Sequence, residues 1–437
     1  MTWSNVLAVE SRTQIGVQSA IPTAPSTWKD LVLSGEAIPF KGAKRNMIAN
    51  TDQRRYRRQY VAPVPGLKSE SPVAFECHGK RLSTRLNASA TPVAFGHADA
   101  LSHQILYRAI LGGELTPAAG TTEAGAAGST ATVVQVTSAA VFTVGQMVGI
   151  EIGSDGVIEW RRVVARDTAA TPDTITVFPA LSALPTASGE IRNAYCYYPA
   201  EGDTQTYAMR HGHVESGTPE THEYHRGITG GGELTLDVGQ VVKVAFSGTS
   251  VDHDDPTDLS GSGLTMASVA DDMGAPLVWQ PTLHLHLTTT GTAPGHAQIE
   301  TLKVTIPRTW QALRGSGGAQ GVAGLVETAG RAAPIMIEVS GWTNALGATA
   351  SAWASLTNGD LAHLIAYTSD GATTAQRFLG LCAPQLRLVE EPVKEVTGAL
   401  LFVRMKFQVE MDTSITALPT PGSTGEPSIA GLVVFLG

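Results

Sequence analysis

Along this chain apolar residues alternate with polar ones far more often than they recur at helical spacing, so the pattern predicts strands over most of its length. The clearest unit is Tyr224 to Ser250, YHRGITGGGELTLDVGQVVKVAFSGTS. After a glycine-rich entry, Leu234, Leu236 and Val238 alternate with polar positions, Gly239 supplies a turn, and Val242, Val244 and Phe246 alternate on the way back. Period 2 on both sides of a short turn predicts a β-hairpin with one buried face and one face free to meet another surface. Glu233 and Asp237 alternate with Leu234 and Leu236, which puts them on the wet face.

The same reasoning predicts a strand through Val73, Phe75 and Cys77, after the Pro-rich turn at Pro63 to Gly66. DALSHQILYRAILGG reads as the clearest helix: Leu101, Ile105 and Ala109 share a face with Leu106 and Ile110 beside them, Asp99 sits near its start, and Gly112-Gly113 stops it. One amphipathic helix among strands is expected to cover a sheet face. Residues 116 to 132, TPAAGTTEAGAAGSTAT, are small and nearly uncharged, hence linker-like. Short strands follow closely from TVVQVT through VIEWRRVVA to Ile191–Tyr198, which suggests a small all-β barrel or sandwich inserted into the chain with its ends close together.

Strands dominate again afterwards. Leu283, Leu285 and Leu287 alternate, as do Leu302, Val304 and Ile306, and Val403, Met405, Phe407 and Val409 alternate with Arg404, Lys406, Gln408 and Glu410. A second, weak helix is expected from about Asp360 to Tyr367, and DHDDPTD (Asp252 to Asp258) reads as a polar loop behind the hairpin. The tail carries a short apolar strand, Leu432 to Leu436, on a Pro/Gly tether, a form that commonly pairs with a sheet edge in its own subunit or the next. The expected organisation is one mainly β body from residues 1–115 and 200–415, an inserted β-domain at 116–199, and a C-terminal arm at 416–437.

Composition narrows the functional classes. The 437 residues are 43% hydrophobic, and no apolar run approaches the roughly 18 needed to span a bilayer. The N-terminus lacks a basic-then-apolar signal pattern, so synthesis and folding in a cytoplasm are expected. Cys77, Cys196 and Cys382 are far apart and read as buried thiols. A net charge of −9 argues against gripping nucleic acid with the whole surface, yet permits a surface that DNA slides past. Charged residues make up only 16%, against roughly 25% in ordinary globular domains, so either neighbouring subunits cover much of the surface or the chain is a sparsely charged monomer.

Candidate chemistry is thin. HGH (His211 to His213), HEYH (His222 to His225) and HLH (His284 to His286) could share a metal across a strand face, but none has helical HExxH spacing, and solvated or interface histidines are the simpler reading. DHDDPTD lacks the residue order of a calcium loop. The basic run QRRYRRQY, with Arg54, Arg55, Arg57 and Arg58, could stack on bases, but inter-subunit ion pairs with Asp252, Asp254 and Asp255 suit an acidic chain better. GITGGGE lacks the Lys-Ser/Thr ending of a phosphate loop and leads into a strand. No nucleophile-base arrangement stands out, so no catalytic, cofactor or metal residue is assigned.

In order and pattern, the parts resemble the tail tube (major tail) proteins of long-tailed bacteriophages. The parts are VAFECHGK, DALSHQILYRAILGG, RGITGGGELTLDVGQVVKVAFSG, TLHLHL, IETLKVTIPRTW, APQLRLVEEP and GALLFVRMKFQVEMD, with 116–199 outside the likeness. That segment, with FTVGQMVGIEI and YCYYP, is similar to β-domains decorating the outside of some tubes. The resemblance implies a β-sandwich with a flanking helix and long hairpins, six copies per ring, and rings stacked into a conduit for DNA, in the virion tail and assembled in the host cytoplasm. It implies as partners other copies of the chain, a tape measure protein, tail terminator and distal tail proteins, and DNA passing non-specifically through the lumen, with no membrane insertion by this chain. Gly227, Gly230, Gly231, Gly232, Glu233, Leu234, Asp237, Gly239, Lys243 and Gly248 would then form the lumen hairpin, with a preferably negative bore that repels DNA. A distal tail or baseplate hub ring of the same fold, and a glycan-binding surface β-protein, are the alternatives.

Overall fold

The computed structural model describes residues 10–21, 23–34, 40, 45–48, 64–68, 70–79, 102–118, 121–122, 128–153, 157–200, 206–215, 218–258, 277–280, 282–287, 298–319, 322–327, 333–343, 350–369, 377–397, 400–411 and 431–437. Over these residues the protein is mainly β, with large antiparallel sheets and two α-helices. No helix among them is long and apolar enough to cross a membrane.

The main sheet is built by antiparallel neighbours. Ser71–His78 pairs with Lys243–Ser250, which returns against the long strand Thr218–Asp237; Gln298–Ile306, Met336–Thr343 and Leu400–Val409 follow in turn. Leu400–Val409 reaches Phe378–Leu388, whose other edge takes Ala362–Ser369 and then Thr282–Leu287. One continuous core lies inside this sheet, with Val73, Phe246, Leu234, Val304, Val339, Phe407, Leu364 and Leu381 all at 6% exposure or less.

The helix Ser102–Leu111 lies within the segment that its helical spacing predicts. All its residues except Arg108 are buried, and Tyr107 packs against Tyr197 at 5.6 Å. It therefore plugs the core, and each fully buried Leu or Ile contributes about 1.5–3 kcal/mol. Its end is fixed twice. Arg308 donates to the Ala109 and Ile110 carbonyls, and Gly112 takes φ +95 where a side chain would strike the Ala200 carbonyl.

Residues 121–193 form a second, six-stranded sheet with its own core of Val134, Phe142, Val148, Ile150, Val163, Ile175 and Val177. The expected linker contributes to it, since Thr121–Thr122 pairs with Glu190–Ile191. Its boundary differs from the expected residue 199. Tyr195–Pro199 belongs to the main sheet, between Gly112–Leu115 and Val433–Leu436, because its tyrosines are needed in the main core.

Two further expectations are corrected. The segment Asp360 to Tyr367 is not helical: Ala362–Ser369 is a strand with both faces buried, and a continuous apolar run suits either state until a sheet claims it. The helix lies just before it, Ala350–Thr357, and ends at Gly359 with φ +100. Asp252–Asp258 is a strand paired with the first half of the long strand, not a loop. The C-terminal strand Val433–Leu436 pairs on both sides within its own chain, with Tyr195–Tyr197 and Leu379–Cys382, and is buried throughout.

Candidate assembly surface around the long hairpin

The hairpin forms because its alternation matches two neighbours at once. Leu234 and Leu236 face the core with Val244 and Phe246 beside them, while the long strand pairs with Gln298–Ile306 and the return strand with Ser71–His78. The turn residue Gly239 has φ +77 and stands in open space. Leu234 is thus a core residue, as its alternation predicts, and does not reach the wet face.

The glycine-rich segment does not interrupt the strand. It lies inside the uninterrupted strand Thr218–Asp237, at the point where that strand leaves the outer sheet for the main one. Gly227 has φ +62, and Gly230 faces Gly248 so closely that a Cβ on Gly248 would strike the Thr229 carbonyl. A Cβ on Gly231 would strike the Ile306 carbonyl, and one on Gly232 would meet Ile110. Gly230 and Gly231 are buried, so they set the approach of backbones instead of lining a surface.

Cross-strand register defines the wet face. One row runs His78, Lys243, Thr235, Lys303, Glu338, Lys406, and the next runs Glu76, Ala245, Glu233, Thr305, Met336, Gln408. A third runs Asp237, Thr301, Ser340, Arg404. Paired residues of an antiparallel ladder share a face, so this surface continues across six strands. Its acids Glu76, Glu233, Asp237 and Glu338 equal in number its bases Lys243, Lys303, Arg404 and Lys406. Lys303 sits 3.0 Å from Glu233, with side chains 38% and 35% exposed, and Thr235 donates to Glu233 at 3.5 Å. The face expected to be negative therefore carries as many bases as acids, with Glu233 paired to Lys303 from the neighbouring strand.

Behind the hairpin, the outer sheet joins Lys29–Asp30, Glu10–Gln18, Thr206–Glu215, the first half of the long strand and Asp252–Asp258. Its buried face holds histidines. His211 shares a hydrogen bond with Thr13 at 2.8 Å, His225 shares one with Ser250 at 2.8 Å, Phe40 stacks on His225 at 3.7 Å, and His253 stacks beside it at 5.6 Å. Its other face interleaves cations with rings: Arg210 lies 4.5 Å over Trp28, and Arg226 lies 4.8 Å over Tyr224. Arg210 donates to Gln14, which donates to Asp30, and burial pulls the Arg210 guanidinium below its ordinary pKa. Arg226 donates to Asp252 at 2.7 Å.

This geometry changes the reading of several residues. The histidines at 211 and 225 are held as packing and hydrogen-bonding groups, and no cluster of three or more metal-ligating side chains occurs among the described residues. His284 and His286 lie on a strand of the main sheet. Asp252 is 3% exposed, and its Oδ2 accepts from Arg226 within its own chain. Asp254 and Asp255 lie on the same strand, while Arg54, Arg55, Arg57 and Arg58 fall outside the described residues. Sequence reasoning missed Arg210, Trp28 and Arg226, because the contacts that unite them join segments far apart in the chain. No known protein family matches this chain, and no curated protein is detectably similar to it.

Proposed function

We propose that the chain is a structural virion subunit that self-assembles into stacked hexameric rings, the tail tube through which a long-tailed bacteriophage delivers its genome. One observation carries the reading: a broad six-stranded sheet presents a continuous polar face with equal numbers of acids and bases opposite an apolar core face. Such a face suits a bore. DNA phosphates bind where counterions are released by clustered cations, and here each lysine or arginine lies among acids on neighbouring strands. The genome then passes without sticking, not because the wall is strongly negative but because it has little net field. Closing copies into a ring removes exposed sheet edges. The smaller sheet of residues 121–193 would decorate the tube exterior, and tape measure and terminator proteins would meet the bore and the ends. Negative-stain microscopy of the purified chain tests this: long tubes support it, single rings indicate a hub, and monomers that bind a glycan array refute it.

A further inference from the structure

The strand Val433–Leu436 fills a slot between Tyr195–Tyr197 and Leu379–Cys382, and it serves two cores at once. Leu432, Val434 and Leu436 join the main core, whereas Val433 and Phe435 join the cluster between the two sheets, where the Phe435 ring lies 5.1 Å from that of Trp160. The slot is shaped to this strand. A Cβ on Gly380 would strike the Phe435 ring, and Gly437 and Phe378 donate to each other's carbonyls at 3.0 and 2.7 Å.

The connection into the strand is longer than the slot requires. Gly431 re-enters beside the point where the chain left, since a Cβ on it would strike the Glu410 carbonyl. A turn of about two to five residues closes so small a gap. The sequence places 19 residues there, 412–430, with Pro419, Pro421, Pro427, Gly422 and Gly425 among them. A chain of that length reaches at most about 60 Å, roughly twice the diameter of a small domain. Length beyond what closure needs raises the entropic cost of closing within one chain and widens the reach to another.

We propose that the strand Leu432–Leu436 exchanges between copies, each chain's strand filling the slot of a second copy. This rests on the reading that the chain assembles with itself. Exchange keeps every contact of the strand and changes only the route of the connection, and copies held side by side present the slot at roughly millimolar effective concentration. Because the strand belongs to both cores, a chain that donates it ties both sheets of its neighbour to itself. Donated in one direction around a ring, it links each copy to the next.

The test uses the full chain. Leu379 and Leu436 are register partners, close enough across an antiparallel ladder for a disulfide. Chains carrying only Leu379→Cys are co-expressed with chains carrying only Leu436→Cys, the assembled fraction is isolated by sedimentation and oxidised, and the bond is mapped by mass spectrometry. A disulfide joining position 379 of one chain to position 436 of another is the expected result. Assembled material without that bond, when an unassembled chain carrying both substitutions forms it internally, overturns exchange and leaves self-assembly standing. A second variant keeps every described side chain native: replacing residues 412–430 by a turn of about four residues forbids exchange and still closes the slot within one chain. It is expected to raise the concentration for half-assembly by about tenfold or more while the urea midpoint holds or rises. A shortened chain that assembles like wild type overturns the proposal. A wild-type chain that stays monomeric at every concentration overturns self-assembly itself, and exchange with it.

Discussion

Replacing Trp160 by alanine should detach the smaller sheet from the main one. Trp160 is fully buried, its ring lies 5.1 Å from that of Phe435 and 5.4 Å from that of Phe378, and Met147, Ile158, Cys196 and Tyr367 complete the cluster. The cluster thus takes residues from both sheets, and the indole is its largest member. A tryptophan buries roughly 150–250 Å². At about 25 cal/mol per Å² this corresponds to a transfer term of about 4–6 kcal/mol. Large-to-small core substitutions at aromatic sites cost about 3–5 kcal/mol, so a loss of about 4 kcal/mol is expected. That is a large share of the roughly 5–15 kcal/mol by which a folded domain is stable. The assay is urea unfolding followed by far-UV circular dichroism, in protein kept dilute, with hydrogen exchange to locate the loss. Wild type should unfold both sheets together. In the variant, Met147–Ile152 and Val157–Asp167 should lose protection while Lys243–Ser250 keeps it. A loss below about 1.5 kcal/mol with unchanged protection would refute the argument, because a well-packed aromatic core site cannot give so little.

Two other outcomes follow from buried polar groups. Arg226→Ala leaves the Asp252 carboxylate buried without its cation and should destabilise the chain by about 3 kcal/mol, whereas adding Asp252→Asn should recover part of that loss; a double-mutant cycle by urea unfolding measures the coupling, and a value near zero would sink the pairing. Burial pushes the Cys196 thiol up from 9.0 to about 12, and the buried phenols of Tyr107 and Tyr197 are raised in the same way. An acid whose folded pKa is raised stays protonated in the fold while the unfolded chain releases its proton, so stability should fall as pH rises above about 9 through Cys196 and above about 10 through the tyrosines, by up to about 1.4 kcal/mol per unit for each group. Urea midpoints between pH 7 and 10.5 check this, and a midpoint that rises with pH would contradict it.

Much of this protein is legible in one dimension, because a strand's side chains alternate whatever it pairs with. Leu234 and Leu236 against Glu233 and Asp237, Val73 and Phe75 against Ala74 and Glu76, and Val403 and Met405 against Arg404 and Lys406 all divide between core and surface as alternation predicts. The helix around Ile105 was equally plain, since its spacing and its glycine stop are local. What a residue's partner would be was not local. Ala362–Ser369 is apolar on every face, and only its place between two strands makes it a strand. The glycine-rich entry at 230 to 232 is plain in the sequence, but the close approaches that require it come from Gly248, Ile306 and Ile110 in other segments. Asp252 belonged on paper with distant arginines, and the fold instead brings Arg226 to it across one ladder. Alternation determined which face of each strand is wet, but the sign of that face depended on Lys303, Glu338 and Arg404 arriving beside Glu233 and Asp237. Sequence period sets a side chain's direction, whereas charge and packing depend on neighbours, which only the tertiary pairing of strands supplies.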